Sequence, residues 1–133
     1  MDRLPKIVLA TLLCVSPWAL AATWVDYDKS ADGATFYLDT SSIKATGGNR
    51  TAWSKVVRAT PQVHNGELLQ SWLALIEVDC IGRTQRKLSE VGYRPDGTNL
   101  YQLGEEAVST PVVPDSVGEG RLKMICAHKL GKT

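Results

Sequence analysis

The stretch Gln70–Cys80, QSWLALIEVDC, decides the fold. Its apolar residues recur every second position, which is the period of a β-strand and not of a helix. Trp72, Ala74, Ile76, Val78 and Cys80 share one face, and Leu73, Leu75, Glu77 and Asp79 share the other. The first face has no charged residue and ends in a cysteine, so it is the core face and needs a second layer over it. The second face is half apolar. An antiparallel sheet covered on one side normally reads polar on its solvent face. Leu73 and Leu75 therefore call for cover. Either the chain's own tryptophans and its extended arm Pro111–Pro114 supply it, or a second copy or a protein partner does.

Working outward, the flanking sequence supplies more strands. Trp24–Asp28 and Ala34–Asp39 frame an Asp32-Gly33 turn and read as a hairpin. Thr40-Ser41-Ser42-Ile43 suits one helical turn or a bulge, because hydroxyl side chains bond nearby backbone. Gly47-Gly48-Asn49 is a turn into a third strand, Arg50–Thr60, with Trp53 and Val57 on one face and Ala52 and Val56 on the other. Pro61–Leu69 contains Pro, His, Asn and Gly and reads as a loop. After Gly82, Arg83–Tyr93 is a more polar strand, and Asn99–Leu103 follows the Pro95-Asp96-Gly97 turn. Gly104–Thr110 reads as loop, and Pro111–Pro114 is too proline-rich for a central strand. Ser116-Val117-Gly118-Glu119 opens a helix with a capping box. Gly118, Leu122, Ile125, Cys126 and Lys129 fall on one side of it. The expected fold class is α+β: a single antiparallel sheet of about six strands, with a C-terminal helix across one face.

The chain of 133 residues has room for one domain. Residues 1–22 read as a cleaved export signal: Arg3 and Lys6, an apolar run from Ile7 to Leu20, then small residues ending at Ala21 or Ala22. The run is about 21 Å long as a helix, short of the roughly 30 Å hydrocarbon core, so no membrane anchor is expected after cleavage. Residues 23–133 are the mature domain, and its localisation is periplasmic or secreted. Taking Arg3 and Lys6 from 15 basic side chains and Asp2 from 14 acidic ones leaves thirteen of each. A net charge of zero provides no field to draw nucleic acid, and none is expected as a partner.

The mature chain keeps Cys80 and Cys126. An even pair in an exported chain points to a disulfide tethering the helix to the core face. The alternatives are weaker. A redox pair usually shows Cys-x-x-Cys, and a zinc site needs three or four ligands, whereas His128 lies only two residues from Cys126. No cofactor or metal is expected. Asp26 with Asp28, two apart on one strand face, and Glu105 with Glu106 are the paired carboxylates available for acid–base work, but nothing in the sequence places either pair in a cleft. His64 and His128 have no partner in a nucleophile motif. Arg83, Arg86 and Lys87 form a small basic cluster beside an exposed strand; with Leu73 and Leu75 they make up the candidate interaction surface.

Four segments in register resemble the bacterial surface-adhesin protein E family. They are Tyr37-Leu38-Asp39-Thr40-Ser41-Ser42-Ile43; the start Ala22-Thr23-Trp24 with Trp53 further on; Glu77-Val78-Asp79-Cys80 followed by Arg86 and Leu88-Ser89; and Pro114-Asp115-Ser116-Val117-Gly118-Glu119 with Leu122 and Cys126. The resemblance implies a six-stranded antiparallel sheet, a disulfide-tethered helix, a dimer as a candidate assembly, and adhesion to host matrix and serum proteins such as laminin, vitronectin and plasminogen. The family's founding protein is a lipoprotein. Here Leu12 and Leu13 precede Cys14, in place of the small residues that lipid attachment requires. The expected function is an exported, non-catalytic binding module for a host matrix or envelope protein, with the cell surface as a further location. A periplasmic enzyme inhibitor or envelope-stress accessory protein is the alternative, and a small hydrolase the third reading.

Overall fold

The structure, a computed structural model, describes residues 21–131. The export-signal reading falls almost wholly outside the described residues, as does Cys14. Eight strands form one sheet: β1 (Trp24–Lys29), β2 (Ala34–Asp39), β3 (Lys44–Thr46), β4 (Asn49–His64), β5 (Glu67–Asp79), β6 (Thr84–Tyr93), β7 (Asn99–Leu103) and β8 (Thr110–Pro111). A 3-10 turn, Thr40–Ser42, lies between β2 and β3, and α1 (Val117–Ala127) is the one α-helix among the described residues. The main order is β1-β2-β4-β5-β6-β7, antiparallel throughout. The two strands beyond the expected six are short: β3 pairs the start of β4 and β8 the start of β6.

The core lies between the sheet and α1. Leu38, Ala52, Ile76 and Val78 from the sheet meet Leu122 and Ile125 from the helix, and all six are buried. Alternation along β4 and β5 places Ala52, Ile76 and Val78 on one face, and Leu38 of β2 joins that face through its pairing with Ser54. Ser116 caps the helix, its hydroxyl accepting from Glu119 N–H at 3.2 Å. The Glu119 carboxylate pairs with Arg83 and Lys123. At the other end Arg50 reaches up from β4. Its Nη1 donates to the carbonyls of Ile125 (2.8 Å), Cys126 (3.3 Å) and His128 (2.7 Å), supplying positive charge where the helix leaves acceptors unpaired. The Cys80–Cys126 disulfide, with Cα atoms 5.8 Å apart, ties the same end to β5.

Several expectations need correction. Pro61–Leu69 is not a loop: β4 and β5 continue as a two-stranded ribbon that turns at Asn65-Gly66. Proline is tolerated there because the register breaks between Val57 and Gln62, so Pro61 has no ladder bond to lose. Lys129 lies past the end of α1 and is exposed. Asp26 and Asp28 do not share a face. A bulge between them sets Asp26 opposite Tyr37 and Asp28 opposite Phe36, which are neighbours on opposite faces. The arm beyond β8 does not cover Leu73 and Leu75. Val112 donates to Arg83 O at 2.9 Å and is buried in the core beneath α1, on the other side of the sheet.

Candidate binding surface

With the helix and the arm both on one side, the other side of the sheet is left open. Residues paired directly across antiparallel strands share a face. The register therefore sets Asp26, Tyr37, Lys55, Leu73, Val91 and Gln102 in one row across it. Leu75 sits opposite Trp53, and Trp24 opposite Asp39. Trp24, Tyr37, Trp53, Leu73, Leu75 and Val91 are each half-buried and none is fully covered. Tryptophan and its neighbours supply part of the cover that the two leucines need; no second layer completes it among the described residues. Fully burying one leucine stabilises by about 1.5–3 kcal/mol, so the face keeps part of that free energy available for an interface.

Lys55 gives this face its charge. Its Nζ lies 4.3 Å from the ring centroid of Trp24 and 5.1 Å from that of Tyr37. Cation–π contact of this kind holds the ammonium over the aromatic faces. Among the described residues no carboxylate pairs with Lys55. Sequence alternation could have placed Lys55 beside Trp53 and Leu73, but the stack with Trp24 depends on β1 lying at the far edge.

The candidate basic cluster is dispersed. Arg86 is opposite Glu77 on the open face, and pairs with Glu77 at 2.8 Å and Glu105 at 2.7 Å; the Glu77 bond raises its pKa above the usual arginine value. Lys87 is opposite Ile76, on the helix side, because a bulge between Leu75 and Ile76 shifts the register of β6. It pairs with Glu90 at 3.0 Å and Glu106 at 3.6 Å. Arg83 occupies the β5–β6 turn with φ +53° and pairs with Glu119 at 2.7 Å. Of the five candidate surface residues, Leu73, Leu75 and Arg86 thus lie together on the open face, while Lys87 and Arg83 do not.

The candidate acid–base groups are engaged otherwise. Glu105 and Glu106 clasp their loop to Arg86 and Lys87, and Glu106 also accepts from the Lys87 backbone N–H at 3.0 Å. His64 packs against Tyr101, ring centroids 5.1 Å apart. Tyr101 donates to Glu90 at 3.0 Å, and desolvation, reinforced by the Glu90 charge, pushes its pKa up to about 12. His128 caps α1 and its carbonyl accepts from Arg50. Beneath the helix, burial raises the pKa of Tyr27 and lowers that of Arg121, whose Nη2 donates to Gln85 at 2.6 Å. A shallow concavity formed by Ile43–Ala45 and Leu130–Gly131 has no carboxylate, imidazole or thiol in its lining. Among the described residues no three metal-ligating side chains gather, and no helix is long and apolar enough to cross a membrane.

Three solved structures share this architecture. Crystal form II of Haemophilus influenzae protein E superposes with a TM-score of 0.61 at 13% identity, over 84% of this chain and 92% of that one. The selenomethionine form of the same protein gives 0.58 at 13%, over 84% and 91%. Protein E from non-typeable Haemophilus influenzae gives 0.53 at 12%, over 84% and 80%. At these identities the likeness establishes the fold. No curated protein sequence matches the chain. The profile of Surface-adhesin protein E matches residues 24–127, from the first strand to the last residue of the helix, and the chain belongs to that family.

Proposed function

We propose that this chain is an exported, non-catalytic protein-binding module that engages its partner through the open face of the sheet. The observation that carries this reading is the half-buried group of Trp24, Tyr37, Trp53, Leu73 and Leu75 around Lys55, on the face that neither α1 nor the arm covers. Arg86 and its carboxylate partners form a polar rim at one side. Aromatic and aliphatic residues at the centre with charge around them is the usual make-up of a protein-binding patch. Membership of a surface-adhesin family supports a partner among host matrix or envelope proteins and a location outside the cytoplasm: periplasmic, secreted or at the cell surface. Residues 1–22 are the export signal in this reading and residues 23–133 the working domain. Glu105 and Glu106 serve as ion-pair partners, which supports binding over catalysis.

Binding of the mature domain to immobilised laminin, vitronectin and plasminogen tests the proposal. Binding to one of them, lost in the Leu73→Thr/Leu75→Thr variant and kept in a Leu103→Thr control, is the expected result. Threonine suits a strand, and a urea midpoint for each variant guards against misfolding. Binding to none of the three, or equal binding by both variants, contradicts it. The same face is also available to a second copy of the chain. Sedimentation at tens of micromolar detects that dimer, and the leucine variant should then be a monomer.

A further inference from the structure

Asp39 is a buried carboxylate that no cationic side chain among the described residues balances. It is 7% exposed, and among the described residues no lysine or arginine lies within ion-pair distance. Its Oδ1 gathers the backbone N–H of Thr23 at 2.9 Å, the N–H of Ser41 at 3.0 Å and the Ser41 hydroxyl at 2.5 Å. Thr23 is fixed from its other side too, its carbonyl accepting from Thr40 N–H at 3.0 Å. Ala21 and Ala22, just before it, are exposed. An unbalanced carboxylate is costly to bury, and the donor at 2.9 Å is the backbone nitrogen of Thr23, the first residue after the expected export signal.

We propose that Asp39 is the receptor for the mature amino terminus, generated by hydrolysis of the Ala22–Thr23 bond. This rests on the export reading above. Water adds across the amide: the Ala22 carbonyl carbon takes the hydroxyl and departs as the leader's carboxylate, and the Thr23 nitrogen keeps its hydrogen and takes up protons. A free α-amino group has a pKa of roughly 7.7–8.0, so the new terminus is largely an ammonium at neutral pH. The donor is already in place, so the cut replaces a neutral amide donor by a cationic one and makes an ion pair without moving the chain. Processing thereby locks β1, an edge strand, to the end of β2.

Four recombinant chains test this: one starting at Thr23 and one at Ala21, each with Asp39 or with Asp39→Asn. The charged groups on the neighbouring strands, Asp26, Lys44 and Lys55, are common to all four. In the Thr23 chain the α-amino group should hold its proton at least about tenfold more tightly than a free terminus, read by NMR titration. Its urea midpoint should exceed that of the Ala21 chain, and Asp39→Asn should abolish the excess. Because the terminus has a raised pKa in the folded state, the gain is full below about pH 7.7 and is lost as pH climbs through the raised value. An ordinary α-amino titration, or an excess that survives Asp39→Asn, overturns the proposal; if Asp39→Asn does not fold, the titration decides alone. The mass of the exported chain tests the cut itself, with a start at any residue but Thr23 contradicting it. Recombinant chains need no export, so a failed cut and a failed ion pair give different results.

Discussion

Replacing Arg50 by methionine should loosen the helix from the sheet by a calculable amount. Three carbonyls at the end of α1, those of Ile125, Cys126 and His128, lose a shared cationic donor at 2.8, 3.3 and 2.7 Å. A hydrogen bond to a charged group contributes about 1.5–3 kcal/mol, and two of the three are short enough to count fully. The bonds share one nitrogen, and water can reach part of this half-buried site, so the sum is less than additive. The expected loss is about 2–4 kcal/mol. At a urea m-value of about 1.5 kcal/mol/M the midpoint falls by roughly 1.3–2.7 M. Methionine retains most of the stem's packing, so the change reads the guanidinium. Arg50→Lys should recover only part of the loss, because an ammonium lacks the planar fork. A midpoint within about 0.3 M of wild type for Arg50→Met would show that the disulfide alone holds the helix end.

Other outcomes follow from the same geometry. Opening the loop of 46 positions between Cys80 and Cys126 with a Cys80→Ser/Cys126→Ser pair should lower stability by about 4 kcal/mol on the chain-entropy account; a loss under about 1 kcal/mol by urea unfolding contradicts it. Leu122→Ala removes a fully buried side chain facing Ile76 and Val78 and should cost about 2–5 kcal/mol, measured the same way. Tyr101, with its pKa pushed up to about 12, contributes stability that is complete below its unfolded value near 10 and lost as pH rises through 12. Tyr101→Phe should therefore show a shallower decline between about pH 10 and 12, and an unchanged slope counts against the raised pKa that desolvation and the Glu90 charge give it.

The sheet was legible where alternation ran unbroken. Gln70–Asp79 could be assigned a face residue by residue, because a period of two fixes each side chain once one is placed. Register breaks defeated the same logic elsewhere. The bulge between Leu75 and Ile76 sends Lys87 to the helix side while Arg86 stays on the open face, and no local composition marks it. Pro61 and Gln62 disguised the Asn65-Gly66 hairpin, although Asn-Gly is itself a strong turn signal. Arg50 capping α1 joins residues 75 or more apart, and Thr23 reaching Asp39 joins the first strand's approach to the second strand's end; contacts of that range leave no periodicity to read. Leu73 and Leu75 as half-covered residues could be read from the sequence, while the removal of the Pro111–Pro114 arm to the opposite side could not.

The central claim is that the open face of the sheet is the working surface. Hydroxyl-radical footprinting of the mature domain, free and with whichever of laminin, vitronectin and plasminogen it binds, tests it most directly. Trp24, Tyr37, Trp53, Leu73 and Leu75 should lose reactivity together on binding, while the exposed Ile81, in the β5–β6 turn, and Val113, after β8, stay as reactive as before. Protection confined to Ile81, Val113 and α1, with the tryptophans and leucines of the open face unchanged, would place the partner on the other side of the molecule and contradict the account.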